Sequence, residues 1–329
     1  MQAAFYTRTG PSDVLQFGEQ PVPQPGPGEV RVRLRTSGVN PSDYKSRRGG
    51  PGRPPLAWPL VIPHSDGAGV IDAVGDGVPA ARVGERVWTW NAQWNRPFGT
   101  AAQFIALPSA QAVRMPDALG DAEAACLGIP AFTALQAVRR AELRPGQVVL
   151  VSGGAGSVGH YAIQLAKRQG ATVLATVSTD AKADHALAAG ADHVIRYRSE
   201  DVGARVRALT GGRTVDAVIE MDLTANAHLY PGCLRPGAIV VVYGMGAAES
   251  TLPTMWLMRS RARIVFEFIY EIPAEDRAAG LRDFDTLLRE GALRHSVGLR
   301  LPLAEIARAH DLVEQGQVMG NVVLDIPWE

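Results

Sequence analysis

Gly154, Gly156 and Gly159 stand at the spacing G-x-G-x-x-G, in the run Val148-Val149-Leu150-Val151-Ser152-Gly153-Gly154-Ala155-Gly156-Ser157-Val158-Gly159. The spacing alone is common. Here it follows four apolar residues that read as a buried parallel strand, and it precedes His160–Lys167, which reads as a helix. In that setting it is a dinucleotide fingerprint. One glycine allows the tight turn, the second lets the backbone approach a pyrophosphate, and the third lets the helix pack close to the strand. Ser157, Val158 and Gly159 then open a helix whose N–H groups and positive dipole end face the phosphates. An NAD site also wants a carboxylate about 20 residues further on, at the tip of the second strand, for the ribose hydroxyls. That strand, Ala171–Val177, ends at Ser178 with nothing acidic at its tip, and Lys182 follows four residues later. Lysine occurs only at 45, 167 and 182 in this arginine-rich chain, and it is a natural point-charge partner for phosphate. The cofactor read from these residues is NADPH. Asp180, two residues past the tip, is the opposing signal.

The second half of the chain supplies the scaffold for such a turn. Apolar runs at 147–152, 171–177, 193–197, 215–221 and 238–243 alternate with helical segments near 157–169, 181–188, 202–209 and 225–234. Alternation of this kind gives βαβ units and a parallel sheet with right-handed crossovers. Arg263–Tyr270 reads as a sixth strand, apolar on both faces and placed at the edge, followed by an amphipathic helix near 275–290 and a short β-rich tail at 296–326. Residues 1–120 differ: short β-like runs at Glu29–Arg35, Gly69–Val74 and Glu85–Trp90 are separated by Gly- and Pro-rich turns, the pattern of an all-β barrel or sandwich. Ala122–Leu143 is Ala-rich and helical, broken by Gly128 and Pro130. The fold class read from this is α/β, with a β-rich domain at 1–122 and 271–329 and a doubly wound dinucleotide domain at 123–270. The tail packs back on the β-rich domain, and the active site falls in a cleft between domains, a common place for cofactor pockets.

Composition excludes several classes. Among 329 residues, 46% are hydrophobic and 20% charged, as in globular proteins. Net charge is zero, so nothing favours nucleic acid or an anionic membrane. With only Cys126 and Cys233, neither a disulfide scaffold nor a four-cysteine zinc site is available. No apolar run approaches a membrane span and no signal peptide is visible, so the expected location is cytoplasmic.

At this point the chain resembles the medium-chain dehydrogenases/reductases, and within them the zinc-free quinone oxidoreductase branch of zeta-crystallin-like proteins. The resemblance rests on Gly38-Val39-Asn40-Pro41, Asp66-Gly67-Ala68-Gly69-Val70, Val83-Gly84-Glu85-Arg86-Val87, Gly128-Ile129-Pro130-Ala131-Phe132-Thr133-Ala134, the glycine turn, Val218-Ile219-Glu220-Met221 and Met319-Gly320-Asn321-Val322-Val323-Leu324. It implies a GroES-like N-terminal domain and a Rossmann domain. Zinc alcohol dehydrogenases of this superfamily carry cysteine where this chain has Asn40, histidine where it has Ser65 and a second cysteine near Ile129; their four-cysteine lobe has no counterpart at 91–103. No metal is expected, since zinc needs three or four N, S or O ligands. His64 and Asp66 border the lost site. The resemblance further implies that Lys182 and Tyr197 contact the 2′-phosphate of NADPH, and that Asn40, Thr133, Tyr243, Gly244, Phe268 and Asn321 surround the nicotinamide and its ribose. Thr133 sits near a helix N-terminus, where its hydroxyl serves as ligand or cap. Gly153 stands where quinone reductases commonly have alanine, a change the turn tolerates.

The implied reaction is hydride transfer to a quinone without zinc. Quinone reductases often carry tyrosine five residues after the asparagine; this chain has Lys45 there and Tyr44 one position earlier. Either residue suits reduction of an α,β-unsaturated ketone or aldehyde, because an alkene carbon protonates slowly and benefits from a positioned acid. Lys45 reads equally as a solvated loop residue. Trp88, Trp90 and Trp94 offer an apolar slot for a planar quinone, or core packing in the case of Trp88. Cys126 carries no chemistry. A further alternative is an NADPH-binding structural or RNA-binding protein, against which the neutral charge speaks. The edge strand 263–270 is expected to pair with its copy in a homodimer.

Overall fold

The run Glu29-Val30-Arg31-Val32-Arg33-Leu34 alternates, and the alternation sorts its side chains. Val30, Val32 and Leu34 are fully buried. Arg31 pairs with both oxygens of Asp72 at 2.9 and 3.0 Å, and Arg33 lies 3.9 Å over the Trp328 ring. In the computed structural model, which describes residues 1–50 and 56–328, the strands are β1 (Gln2–Phe5), β2 (Gln16–Glu19), β3 (Glu29–Val39), β4 (Asp66–Val74), β5 (Arg86–Thr89), β6 (Phe104–Pro108), β7 (Ala112–Arg114), β8 (Val148–Val151), β9 (Thr172–Val177), β10 (His193–Arg196), β11 (Val215–Glu220), β12 (Leu234–Val242), β13 (Arg263–Phe266), β14 (Val297–Pro302) and β15 (Asn321–Asp325). The helices are α1 (Pro41–Arg48), α2 (Asp121–Ala124), α3 (Phe132–Arg140), α4 (Ser157–Arg168), α5 (Asp180–Ala188), α6 (Val202–Leu209), α7 (Leu223–Asn226), α8 (Tyr230–Cys233), α9 (Thr254–Ser260), α10 (Ala274–Arg289) and α11 (Ile306–Glu314), with a π-helical segment at Leu127–Ala131 leading into α3.

The chain divides into two units. The first comprises Met1–Pro130, Leu288–Glu290 and His295–Glu329; the second comprises Ala131–Leu287 and Gly291–Arg294. In the first, a seven-stranded sheet runs β14-β15-β3-β4-β5-β7, with β6 also on β3 and a separate β1–β2 pair. The tail packs back as expected: β15 lies antiparallel to β3, with Val322 opposite Val39. In the second unit, six strands run in the order β10-β9-β8-β11-β12-β13, all parallel. The chain winds outward from β8 to β10, then returns to β11 and winds the other way, which is the doubly wound Rossmann order. The central strands β8 and β11 are buried on both faces, which is why they read as continuous apolar runs. Among the described residues no helix is long and apolar enough to cross a membrane.

Four expectations are corrected. The strand expected at 263–270 ends at Phe266: the Glu267 side chain turns in to Arg140 at 3.1 Å, and Ile269–Glu271 form a 3-10 turn. The tail at 296–326 is not all β, because α11 separates β14 from β15. The loop alternative for Lys45 falls, because residues 41–48 form α1, with Pro41 suited to the first helical turn. The domain boundaries expected at 122/123 and 270/271 fall at 130/131 and in the region 287–295. Helix α10 belongs to the second unit because its buried Phe284 meets Phe132 of α3 edge-on at 6.0 Å. At Gly280 the two helices come so close that a Cβ would stand 2.7 Å from the Phe132 ring. Phe284→Ala is expected to lose about 3–5 kcal/mol through the cavity it leaves, read as a lower urea midpoint; an unchanged midpoint refutes the assignment of α10 to this core.

Candidate functional site

The glycine turn is built by close approach. Val151 ends β8, and the Ser152 N–H donates to the Ile219 carbonyl at 2.9 Å. Gly153 carries the turn's only left-handed backbone, φ +68°, so the tight turn falls on this residue, outside the G-x-G-x-x-G trio. Its N–H donates to Thr176 Oγ1 at 3.1 Å. A Cβ on Gly154 would stand 2.7 Å from Ala175 Cβ, and one on Gly159 would run into the Gly153 carbonyl oxygen. These two glycines seat α4 on β8 and β9. Gly156 faces open space apart from the Gly153 oxygen 3.3 Å from a built Cβ, and it opens α4 with no side chain capping Ser157, Val158 or Gly159. An uncapped helix start beside a glycine-lined opening fits a dinucleotide pyrophosphate.

The residues expected at the adenosine end come together at the tips of β9 and β10. Val177 pairs with Arg196, so half-buried Ser178 and half-exposed Tyr197 are neighbours. Thr179 caps α5, its hydroxyl accepting from the Lys182 N–H at 3.3 Å. Asp180, the opposing carboxylate, is held by Arg196 Nε at 2.5 Å. Sequence reasoning missed Arg196. Nothing in its spacing marks it, since the contact depends on parallel pairing of β9 with β10.

At the end of β12, the Tyr243 N–H donates to the Glu220 carbonyl at 3.0 Å. Gly244 is required because a Cβ there would strike the Met221 backbone oxygen. Its expected close approach is therefore to protein backbone. Half-exposed Phe268 lies past the end of β13, 5.3 Å from the Tyr270 ring. Thr133 is buried, and the π-helical segment runs straight into α3, so Thr133 does not stand at a free helix start and is not a cap.

In the first unit, Asn40 is gripped at both ends. Its backbone N–H donates to Asp43 Oδ2 at 2.7 Å, and its side-chain Nδ2 donates to Asp66 Oδ2 at 2.8 Å. Asn321 stands one step beyond the Val39–Val322 pair, beside Asn40, with its Nδ2 donating to the Ser296 carbonyl at 2.9 Å. Tyr44 and Lys45 lie on consecutive positions of α1 and so diverge by about 100° around the helix. Burial pushes Asp43 up to about 7 against the opposing Asn40 N–H bond. Burial also raises Asp66 well above the usual carboxylate range, assisted by Asp43 and opposed by Asn40 and the Ile129 N–H.

Beside this clamp runs a buried string of hydrogen bonds that sequence reasoning did not foresee. His310 Nε2 meets His64 Nε2 at 2.9 Å, His64 Nδ1 meets Ser37 Oγ at 2.8 Å, and Ser37 Oγ meets Thr100 Oγ1 at 2.8 Å. Thr100 Oγ1 ends the string on the Asp66 carbonyl at 2.5 Å. A carbonyl only accepts, so Thr100 donates to it, Ser37 donates to Thr100, His64 Nδ1–H donates to Ser37, and His310 Nε2–H donates to His64. This leaves His310 Nδ1 as a bare acceptor, in keeping with its lack of a partner. Burial holds His64 down to about 3 and His310 well below the usual imidazole range, both therefore neutral. The string ends on a carbonyl and cannot pass a proton onward.

The zinc set does not fit these residues. Asn40 commits its amide nitrogen to Asp66, Ser65 is no histidine, and Cys126 Sγ bonds the Ala122 carbonyl at 3.3 Å with burial raising its thiol well above the usual range. Trp88 is buried in β5, as the packing alternative has it, while the Trp90 indole donates to the Ala110 carbonyl at 3.2 Å. A carboxyl that keeps its proton longer in the folded chain than in the unfolded one loses stability as pH rises from its unfolded value of about 3.9. Asparagine does not titrate. The stability of Asp66→Asn relative to the natural chain is expected to grow with pH, by up to about 1.4 kcal/mol per unit between about pH 5 and pH 7. Urea denaturation at several pH values measures it, and a flat difference would mean that Asp66 is ionised throughout.

Comparison with known proteins agrees with this geometry. The alcohol dehydrogenase GroES-like domain family matches residues 26–117, and the zinc-binding dehydrogenase family matches residues 157–284. A 2-haloacrylate reductase from Burkholderia is 30% identical, covering 98% of each chain, and a quinone oxidoreductase from Pseudomonas aeruginosa is 30% identical, covering 96% of each. Among solved structures, an NAD-dependent alcohol dehydrogenase superposes with TM-score 0.89 at 31% identity, covering 99% of this chain and 100% of that one. A mycobacterial protein complexed with NADPH superposes with TM-score 0.86 at 30% identity, also covering 99% and 100%. With its GroES-like first unit, its Rossmann second unit and these relatives, the chain belongs to the medium-chain dehydrogenase/reductase oxidoreductases, in the zinc-free quinone oxidoreductase family.

Proposed function

We propose that this chain is an NADPH-dependent quinone oxidoreductase. The observation that carries the cofactor is the tip of β9 and β10, where Ser178 and Tyr197 are neighbours on paired strands, Lys182 lies in the first turn of α5, and Arg196 holds Asp180. A phosphate at that tip meets cations and hydroxyls, whereas a ribose diol wants a carboxylate acceptor. The relative complexed with NADPH supports the same reading. Bound there, the nicotinamide supplies a hydride to a quinone. The chain's own part is binding and orientation. The glycine turn and the start of α4 take the pyrophosphate. Asn40 and Asn321, with their amide nitrogens committed to Asp66 and Ser296, keep Oδ1 as the acceptor for hydroxyl groups. A quinone oxygen takes its proton from water and needs no dedicated acid.

A second reading, reduction of an activated carbon–carbon double bond, is favoured by the 2-haloacrylate reductase relative and by the presence of Tyr44 and Lys45 on α1 beside Asn40. NADPH and NADH oxidation against a quinone panel and an unsaturated-carbonyl panel separates the two; turnover of unsaturated carbonyls alone refutes the first. Lys182→Ala is expected to raise KM for NADPH about tenfold and leave NADH nearly unchanged, the loss of one charge-assisted phosphate contact. An equal rise for both coenzymes overturns the phosphate assignment.

We also propose a homodimer through β13. This strand is the free edge of the parallel sheet, and Phe266, Met255 and Met258 beside it are 68%, 63% and 68% exposed. An apolar edge of this kind is stable in water when covered. Sedimentation velocity is expected to give twice the chain mass, falling to one with Phe266→Lys; a monomer at micromolar concentration refutes it.

A further inference from the structure

Among the described residues, no cation forms an ion pair with the buried carboxylate of Glu220. Glu220 is the last residue of β11 and is 1% exposed. Its Oε1 accepts from the Asp222 N–H at 2.7 Å and from Asn226 Nδ2 at 2.8 Å, and its Oε2 accepts from the Tyr230 hydroxyl at 3.2 Å. Every partner is neutral. After burial itself, the Glu220 charge is the next influence holding the Tyr230 and Tyr243 hydroxyls above the usual phenol range. Removing a charge from water costs several kcal/mol unless something of opposite charge answers it. Three neutral donors satisfy its oxygens but leave its field uncompensated.

Its place in the fold indicates what answers that field. Ile219 pairs with Val151, so Glu220 stands beside Ser152 at the mouth of the glycine turn, and Asn226 bridges the two, donating also to Ser152 Oγ at 3.0 Å. The β8–β11 boundary is the switch point of the sheet, where ligands of doubly wound folds lie outside the carboxyl ends of the strands. Of the two mononucleotide-binding halves, β8–β10 carries the adenosine tip, so β11–β13 serves the nicotinamide half. A fixed negative charge on that side discriminates between the two states of the ring, which is cationic when oxidised and neutral when reduced.

We propose that Glu220 tunes the redox preference of the bound dinucleotide, favouring the oxidised form through its uncompensated charge, while its hydrogen bonds to Asn226 and Tyr230 hold that charge in place. This rests on the dinucleotide reading above but is independent of the 2′-phosphate, and of whether the substrate is a quinone or an alkene. Glu220 is a tuning and positioning residue and is assigned no bond to the reacting atoms.

The test is equilibrium binding of NADP⁺ and NADPH, and of NAD⁺ and NADH, to the natural chain and to Glu220→Gln. The amide keeps the shape of the cluster and removes the charge. Binding of the oxidised form is expected to weaken relative to the reduced form by about three- to tenfold, the effect of one partly screened charge at short range. Asn226→Ala removes the bridge to Ser152 without removing the charge, and is expected to shift both forms together. Glu220→Asp keeps a carboxylate one methylene shorter, and Tyr230→Phe keeps the charge while removing one neutral donor; neither is expected to move the ratio as far as Glu220→Gln. A ratio unchanged in Glu220→Gln, or moved as far by the charge-keeping Tyr230→Phe, overturns the inference and makes Glu220 only a strut. A natural chain that binds neither couple overturns the dinucleotide reading itself, a result distinct from tight binding with an unchanged ratio.

Discussion

No side chain fits between the first turn of α4 and the backbone that leads into it. Gly159 lies against the Gly153 carbonyl, and Gly154 lies against Ala175, at separations where a β-carbon has no room. That steric constraint seats the helix on β8 and β9 and brings its uncapped start to the carboxyl edge of the sheet. Once α4 is placed, the rest of the second unit follows. β9 and β10 must extend to one side, β11 to β13 to the other, and the switch point opens where the helix dipole already points. The tips of β9 and β10 and the Glu220 cluster at the end of β11 are separate consequences of one seating.

The first unit meets the opposite problem, that of keeping polar groups where water does not reach. Asp43, Asp66, Arg47, His64 and His310 are all buried. Unmet, each would cost several kcal/mol. They are met in part: Arg47 pairs with Glu314 at 3.1 Å, tying α1 to α11, though its Nε and Nη1 find no partner among the described residues, and the two histidines share a bond in a string that ends on the backbone of β4 and leaves His310 Nδ1 bare. His64 sits at φ +78°, an uncommon conformation for a side-chain-bearing residue, which this over-determined network holds. Asn40 inherits the rigidity, since both of its nitrogens are spoken for by carboxyls of the same network. A side chain meant to orient a ligand gains from such restraint, because a fixed acceptor loses no rotamer freedom on binding.

Local pattern carried the expectations that held. The alternation of β3, the four-residue apolar run of β8 and the regular strand–helix spacing beyond it each record a burial decided within a few residues. Expectations failed where a distant partner decides. The strand at 263–270 stops early because Glu267 meets Arg140, and α10 leaves the tail because Phe284 meets Phe132. Trp88 is core, the packing alternative that its place at the end of a strand already offered. Of the two roles open to Thr133, ligand or cap, the cap falls because a π-helical segment runs straight into α3. His310 is 246 residues from His64, and no local rule joins them.

The sequence by itself determined the dinucleotide turn, the absence of a zinc-ligand set at the superfamily's positions and the alternation of parallel strands with helices, because glycine spacing, donor atoms and hydrophobic period are properties of single residues and their near neighbours. Only the tertiary structure decided that Arg196 takes up Asp180, that Asp66 grips Asn40 and that Glu220 is buried beside Ser152 among neutral partners. Each of these is a contact across strands or between elements far apart in the chain, where charge and burial are set by what folding brings near.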